Sequence, residues 1–402
     1  MSTDFDPTRS AGLTALSDFV PRAGRDYASD RNHDTGPEHR TNVSVLSPYI
    51  RHRLVTEAEV VQAVLAVHSP QASEKFVQEV FWRTYWKGWL ELRPEAWRRY
   101  RADVARMLPD ADSAYTDAVA GRTGIDCFDA WARELIDTGY LHNHTRMWFA
   151  SIWIFTLGLP WQLGADFFLR HLYDGDPASN TLSWRWVAGL QTKGKTYLAT
   201  ADNISRYTDG RFSPRGLATS AVALTEEPIP APAPLDASVA VPSGRVGLLL
   251  HEDDLNPETL LSAVSSDTRV GAVAGFSAVK GRSRASVAEP VIEFTEAAMT
   301  DALTRASGHF DVATTSLGEL TAAAVLDWAT ASDVATVLTP HAPIGPAQEQ
   351  LAGLESELSE SGVALIRVRR EWDTSAWPHA RRGYFGFREN IPQLIRQQGL
   401  GR

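Results

Sequence analysis

The sequence predicts a multidomain protein, an all-helical first half followed by a parallel α/β domain, and three observations support this fold class. Ten of the 13 tryptophans precede residue 190, in segments whose apolar residues recur at helical spacing. Residues 221–244 are rich in proline and alanine, which is typical of an extended linker. Beyond them, short β-branched runs alternate with helical segments, the pattern of a sheet covered on both faces. We therefore expect domains at 1–220 and 245–402.

The helices of the first half are marked by capping residues and by breaks at glycine or proline. Thr56 and Glu59 have the spacing of a capping box, and a longer helix is predicted to begin at Ser73 and to end before Pro94. Further helices are predicted at 10–20, 95–108, 126–138, 141–158, 161–173 and 177–190. Little before residue 215 has the pattern of a strand.

The second half reads as alternating strands and helices. Strands are predicted at 246–251, 270–276, 312–316, 334–340 and 363–368, and helices at 256–265, 289–306, 318–331 and 346–361. The tail, 383–399, reads as a loop and a C-terminal helix. No GxGxxG or GxxxxGK[ST] motif is present, so the sequence predicts no glycine-rich phosphate-binding loop.

Charge and composition narrow the function classes. The net charge is −10, but residues 226–402 carry 14 basic against 23 acidic residues, so the first half is close to neutral and could present a basic face. Cys127 is the single cysteine, which excludes a disulfide framework and a cysteine-based metal cluster. We expect no metal site, no secretory signal, no membrane span and a cytoplasmic location.

One stretch, residues 139–186, combines tryptophans and phenylalanines with Asn143, Arg146, Asp174, Asp176 and Asn180. A helical core has no need of these groups, and burying a charge is costly unless it is paired. We therefore expect a large, flat and polar ligand here, and a flavin fits that description.

Four motifs in order resemble the helical flavin-binding domain of the photolyase/cryptochrome family, from about Tyr27 to Phe212. They are SVLSPYI, QEVFWR, TGIDCFDAWARELIDTGYLHNHTRM and LPWQLGADFFLRHLYDGDPASNTLSWRW. In the second half, VGLLLHEDDLNPETL and GYFGFRENIP resemble the opening and closing segments of the family's antenna domain. The resemblance implies a Rossmann-like antenna domain moved to the C-terminus; an unrelated α/β partner domain is the alternative.

The resemblance implies FAD as cofactor and, with an antenna-like domain, an antenna chromophore of unknown identity. The implied FAD contacts are Tyr27, Val43, Ser44, Val45, Leu46, Ser47, Arg83, Asn143, Arg146, Asp174, Gly175, Asp176 and Asn180. Arg146 would pair with Asp174 beside the ring, and Asn180 would face flavin N5, where an amide tolerates a reduced ring and a carboxylate would repel it. Two aspartates that only cap a helix are the plainer alternative.

The resemblance also implies a substrate end and an electron path. The implied substrate contacts are Glu79, Trp82, Met147, Trp186 and Lys193, and the implied catalytic residues are Glu79, Asn143, Trp161, Asn180 and Trp184. Trp161 and Trp184 would pass an electron to the flavin. The plainer alternatives are a Glu79–Arg83 surface ion pair and ordinary core tryptophans.

The implied function is blue-light-driven repair of cyclobutane pyrimidine dimers in UV-damaged DNA by a monomeric lyase. The alternatives are a cryptochrome-type photoreceptor without repair and a helical scaffold without flavin. Val45 and His144 stand where the family often has arginine, and no outer tryptophan is found at 108–118, although Tyr115 is near. The lost arginines disfavour duplex DNA, and His142-Asn143 disfavours the (6-4) lesion.

Overall fold

The computed structural model describes residues 5–237, 239–261 and 267–401. The α-helices before residue 210 are α1 Arg9–Phe19, α2 Arg25–Asp30, α3 Ser47–Arg51, α4 Glu57–Val67, α5 Pro70–Glu91, α6 Glu95–Met107, α7 Ser113–Val119, α8 Asp126–Thr138, α9 Asn143–Ser151, α10 Trp161–His171, α11 Pro177–Val187 and α12 Ala201–Tyr207. A π-helix, Ile152–Thr156, continues α9. The prediction of a helical first half is confirmed.

Local capping explains where two of these helices begin. The capping box of Thr56 and Glu59 is present at α4, with the backbone N–H of Thr56 donating to Glu59 Oε2 at 2.8 Å. Helix α5 begins at Pro70, not at the predicted Ser73, because Ser69 caps it by accepting from the N–H of Ala72. Proline is favoured at a first helical position, where no N–H is needed.

After the linker, the described strands are β1 Gly244–His251, β2 Thr268–Phe276, β3 Thr314–Ser316, β4 Thr336–Pro340 and β5 Ala364–Val368. They form one parallel sheet in the order β3-β2-β1-β4-β5, which confirms the predicted parallel α/β fold. The accompanying helices are α13 Pro257–Leu260, α14 Glu289–Phe310, α15 Ala322–Ala331, α16 Pro346–Ala352, α17 Glu355–Glu360, α18 Glu371–Ala376, α19 Tyr384–Arg388 and α20 Ile391–Gln397. The predicted helix 256–265 runs into residues 262–265, which lie outside the described residues.

One continuous apolar cluster runs through the helices and reaches one face of the sheet. It joins tryptophans of the first half to Leu248 and Leu250 of β1 and to Trp372 beyond the sheet. Helix α5 packs so closely on Trp377 that a Cβ at Gly88 would come within 2.7 Å of the indole ring. The predicted domain limits, 1–220 and 245–402 with a linker between, stay a prediction.

Two buried arginines at the end of α3 tie the helices to the sheet. The guanidinium of Arg53 faces the carboxylates of Glu57, Asp254 and Asp373. Arg51 pairs with Asp253 and donates through Nε to the carbonyl of Gly175 at 3.0 Å. The acids that follow β1 and lie in α18 thus supply the partners that a buried charge requires.

Candidate cofactor and substrate cavity

A cavity of about 310 Å³ opens among α5, α9, α11 and the loop before α3. This volume lies at the lower end of the range for small-molecule sites. Of the residues predicted from the sequence, the structure brings these to the cavity wall: Tyr27, Ser44, Ser47, Glu79, Trp82, Arg83, Asn143, Arg146, Met147, Asp174, Asp176, Asn180, Trp184 and Trp186. Their positions in the chain span 160 residues, so the fold itself assembles this wall.

Six predicted residues lie outside the lining, namely Val43, Val45, Leu46, Trp161, Gly175 and Lys193. The side chain of Leu46 belongs to the apolar core, and Lys193 is exposed in the loop after α11. Val45 has a positive φ of 53°, which lets the loop turn between the two serines that do reach the cavity.

Arg146 and Asp174 form the predicted pair on the cavity wall. Arg146 Nη2 donates to Asp174 Oδ2 at 2.9 Å, and its Nε donates to the carbonyl of Leu141 at 2.9 Å. Burial opposes ionisation of Asp174, but the Arg146 guanidinium outweighs it and holds the carboxyl pKa below its ordinary value. The pair is therefore an ionised, pre-oriented feature of the wall.

Asp176 both caps a helix and faces two cations. Its side chain accepts from the N–H of Ser179 at 2.7 Å, so the capping role considered for it is correct. Arg83 Nη1 and Lys87 Nζ each lie 3.6 Å from Asp176 Oδ2. Burial works against its charge, but Lys87 and Arg83 lower the pKa of Asp176 well below the ordinary value. The residue therefore fixes the start of α11 and the local charge together.

Asn180 occupies the first turn of α11 with its amide held in place. Its Nδ2 donates to the carbonyl of Ala165 at 2.8 Å, and the residue is 9% exposed. Because one side of the amide is bonded to α10, the side chain has little freedom to rotate beside the cavity.

Glu79, on the cavity wall, pairs with a residue that sequence reasoning missed. Arg31 Nη1 donates to Glu79 Oε1 at 2.6 Å, whereas Arg83 turns toward Asp176. The alternative of a Glu79–Arg83 pair on one helix face is therefore wrong, because the buried aspartate draws Arg83 inward. Burial raises the pKa of Glu79, and Arg31 partly counteracts that rise.

Trp82 carries a second ring on one face. The ring of Tyr384 lies 3.4 Å from it between centroids, with 10° between the planes, and the Tyr384 hydroxyl donates to the carbonyl of Gln78 at 2.9 Å. No sequence signal links positions 302 residues apart, which is why this contact was not predicted. Segment 381–388 thus packs against a residue of the cavity wall through Tyr384.

Aromatic rings continue from the cavity wall into the core. Trp184 meets Trp153 edge to face at 6.1 Å, and Trp153 meets Tyr115 in the same way at 6.0 Å. Trp161 stacks instead on Tyr100 at 5.8 Å. The aromatic neighbours of Trp184 therefore include a row that leads through Trp153 toward the partly exposed Tyr115.

The cavity wall has unsatisfied donors that a polar ligand could meet. Among the described residues, Arg83 Nη2 and Ser179 Oγ have no hydrogen-bond partner although both atoms are buried. Orphaned buried donors are rare in folded proteins, and a bound ligand is one ordinary explanation. Within the residues that the structure describes, no group of three His, Cys, Asp or Glu side chains is arranged to hold a metal ion. The wall therefore fits an organic ligand with anionic and flat aromatic parts.

The chain thus combines a helical part that contains the cavity with a parallel α/β part. This combination is that of a multidomain, cofactor-binding protein. The family model that matches it is the FAD binding domain of DNA photolyase, over residues 76–211. This match confirms the resemblance to the photolyase/cryptochrome family for the helices that build most of the cavity.

Curated relatives extend the similarity. A deoxyribodipyrimidine photo-lyase of Streptomyces griseus is 39% identical over 37% of this chain and 32% of the relative. One of Synechococcus is 28% identical over 50% of this chain and 45% of the relative. A crystal structure of a bacterial class III photolyase from Agrobacterium tumefaciens has a TM-score of 0.42 and 26% identity, over 50% of this chain and 42% of that chain. The chain spans about a third to a half of the length of these relatives.

Within the described residues, no helix combines the length and apolar character that crossing a membrane requires.

Proposed function

We propose that this protein is a flavoprotein that uses blue light to split cyclobutane pyrimidine dimers in UV-damaged DNA. The observation that carries the proposal is the cavity itself, whose wall joins an Arg146–Asp174 pair at one part to Glu79 and Trp82 at another. The match of 76–211 to an FAD binding domain supports the first part. The photo-lyase names of the relatives support the second.

FAD would be held by groups whose chemistry suits its polar atoms. Ser44 and Ser47 would contact the phosphates, and the free donors of Arg83 and Ser179 would take further acceptors. Asp174, kept ionised by Arg146, would accept from the ring imide, and Asn180 would present a neutral amide near N5. When bound, FAD supplies the light absorption and the single electron that a dimer accepts and then returns.

The dimer would enter the other end of the cavity as a flipped base pair. Trp82 and Trp186 would stack on the pyrimidines, while Met147 would fill the apolar gap between them and the cofactor. Glu79 and Asn143 would hydrogen-bond the carbonyls and stabilise the charge that develops there. Lys193 would contact a phosphate from its exposed loop.

The remaining assignments rest on the resemblance. Val43, Val45, Leu46 and Gly175 would shape the backbone around FAD rather than touch it with side chains. Trp184 and Trp161 would carry electrons that restore the reduced cofactor. The α/β part would be an antenna-like domain placed after the flavin domain, with a chromophore of its own. A monomer working in the cytoplasm completes the proposal.

Absorption and repair assays test the proposal in sequence. The purified protein is expected to be yellow and, after reduction, to split dimers in an oligonucleotide only under blue light. Glu79→Ala should reduce splitting by at least about tenfold, in line with the loss of one positioned polar group. Glu74→Ala, on an exposed turn of the same helix, is the matched control.

The outcomes separate the three classes of protein. Colourless protein would end the flavin proposal. Intact flavin without splitting would favour a photoreceptor of the cryptochrome kind, whose light-driven change would then be sought in the absence of DNA.

A further inference from the structure

The helix α19 presents an aromatic ring to solvent next to two buried ones. The side chain of Phe385 is 73% exposed, whereas Tyr384 is 6% exposed and Phe387 is fully buried. The guanidinium of Arg388 lies 5.4 Å from the centre of the Phe385 ring. An exposed phenylalanine flanked by a cation is a platform on which another flat ring can stack.

Arginines surround this ring in an otherwise acidic half of the chain. Residues 374–388 contain three arginines and no acidic residue, although residues 226–402 have a net charge of −9. Arg381 and Arg382 are exposed, and their carbonyls accept from Arg93 Nη2 at 2.6 Å and from the Tyr85 hydroxyl at 2.9 Å. The backbone is thus held by α5 and by the residue Arg93 that follows it, while both arginine side chains are exposed.

The position of this segment relates it to the cavity. Tyr384, the residue before Phe385, stacks on Trp82, and Trp82 lines the cavity. The exposed ring of Phe385 therefore belongs to the residue directly after the one whose ring contacts the cavity wall. A strand whose base entered the cavity beside Trp82 would have its neighbouring nucleotides on the side where Tyr384 and Phe385 lie.

We infer that residues 381–388, the arginine–phenylalanine rim, bind the DNA strand that flanks the cavity, with Arg381 and Arg382 on phosphates and Phe385 on an unpaired base. The inference rests on the proposed function for the identity of the strand and assigns it a second contact surface. A nucleic acid suits the rim better than a protein, because phosphates match clustered arginines and bases match an exposed ring.

Binding in the dark tests the inference without any repair step. The flavin-loaded protein is titrated into a labelled, undamaged single-stranded oligonucleotide between about 50 and 200 mM salt, and anisotropy gives Kd. The double variant Arg381→Gln/Arg382→Gln should lower the slope of log K against log salt by about 1.4, the value for two phosphate contacts. Phe385→Ala should weaken binding about 5- to 150-fold. Phe385→Trp, which keeps an aromatic ring at this position, should bind as the wild type does.

The control is Arg269→Gln, an exposed arginine of β2 at the amino end of the sheet, which should leave Kd unchanged. Flavin absorbance and melting temperature must match wild type in every variant. Unchanged Kd and salt slope in the rim variants would overturn the inference and leave the exposed ring to a protein partner. If the wild-type protein did not split dimers but the rim variants bound the strand more weakly, the proposed function alone would be overturned.

Discussion

The guanidinium of Arg31, directly after α2, donates to the carboxylate of Glu79 of α5 at 2.6 Å. Both side chains keep some contact with solvent, since 26% of Arg31 and 33% of Glu79 are exposed. Under the proposed function, a substrate that bonds Glu79 would compete with Arg31 or share the carboxylate with it. In that proposal, the Arg31–Glu79 pair would set the charge that the substrate meets at this part of the wall.

Removal of Arg31 should raise the pKa of Glu79. Burial already raises that pKa, and Arg31 and Lys75 are the cations that lower it, with Tyr27 and Tyr384 also facing the carboxylate. In Arg31→Gln, the Glu79 carboxyl signal in ¹³C NMR is expected to titrate at higher pH than in wild type. Arg25→Gln, exposed at the start of the short helix α2 that precedes Arg31, is the control, and an equal shift there would contradict the assignment.

Glu134 should make the protein less stable as the pH rises. Burial raises its carboxyl pKa to about 7 despite its ion pair with Arg40. A raised folded-state pKa contributes stability below about pH 4.5 that is lost as the pH rises through about 7. Relative to wild type, Glu134→Gln should therefore gain up to about 3 kcal/mol across that window, measured by urea unfolding at a series of pH values. Arg40→Met should move the window to higher pH.

Gly164 leaves room for the ring of Trp184 on the cavity wall. A Cβ at this position would come within 2.3 Å of Trp184 Cη2 and 2.9 Å of Trp153 Cε2. Gly164→Ala should cost about 1–3 kcal/mol of stability and displace the indole, with loss of bound flavin measured by absorbance. Gly308→Ala, in helix α14 with nothing within 4 Å, should instead stabilise by about 0.5–1 kcal/mol. Equal effects of the two changes would contradict the packing account.

Arg53 should be among the most sensitive positions for stability. Arg53→Met leaves three buried carboxylates, those of Glu57, Asp254 and Asp373, without the cation that they share. Unfolding by denaturant is expected to show a loss of about 3–5 kcal/mol. Arg106→Gln removes an exposed pair with Asp103 and should change the unfolding free energy by no more than about 1 kcal/mol. A small effect at Arg53 would mean that the network relaxes or takes up water.

Local sequence patterns predicted which helices and strands form better than they predicted where each one begins and ends. The capping box at Thr56 and the β-branched runs are local signals, so helix α4 and the five strands were foreseen. Helix α5 began earlier than predicted because Pro70 serves as a helix start as well as a break. The predicted helix 346–361 is divided at Gly353, where two short helices meet. Boundaries depend on a single cap or turn, which composition does not reveal.

The cavity was foreseen where its residues follow a motif and missed where they come from elsewhere. Asp174, Asp176 and Asn180 lie within seven residues, and the structure places all three on one wall. Arg31 and Tyr384 reach the same region from segments 48 and 302 residues away from their partners. Such contacts follow from tertiary packing, and a single sequence has no periodicity that could reveal them.

Through Arg51, the position of one turn of the cavity wall depends on the second half of the chain. Its guanidinium holds the carbonyl of Gly175, between the two aspartates of the wall, and is itself held by Asp253 just beyond β1. A cut in the proline-rich connection should leave the two pieces associated and coloured, whereas separating them should strip that turn of its anchor. Pigment retention would then report whether the two halves of the polypeptide are still associated.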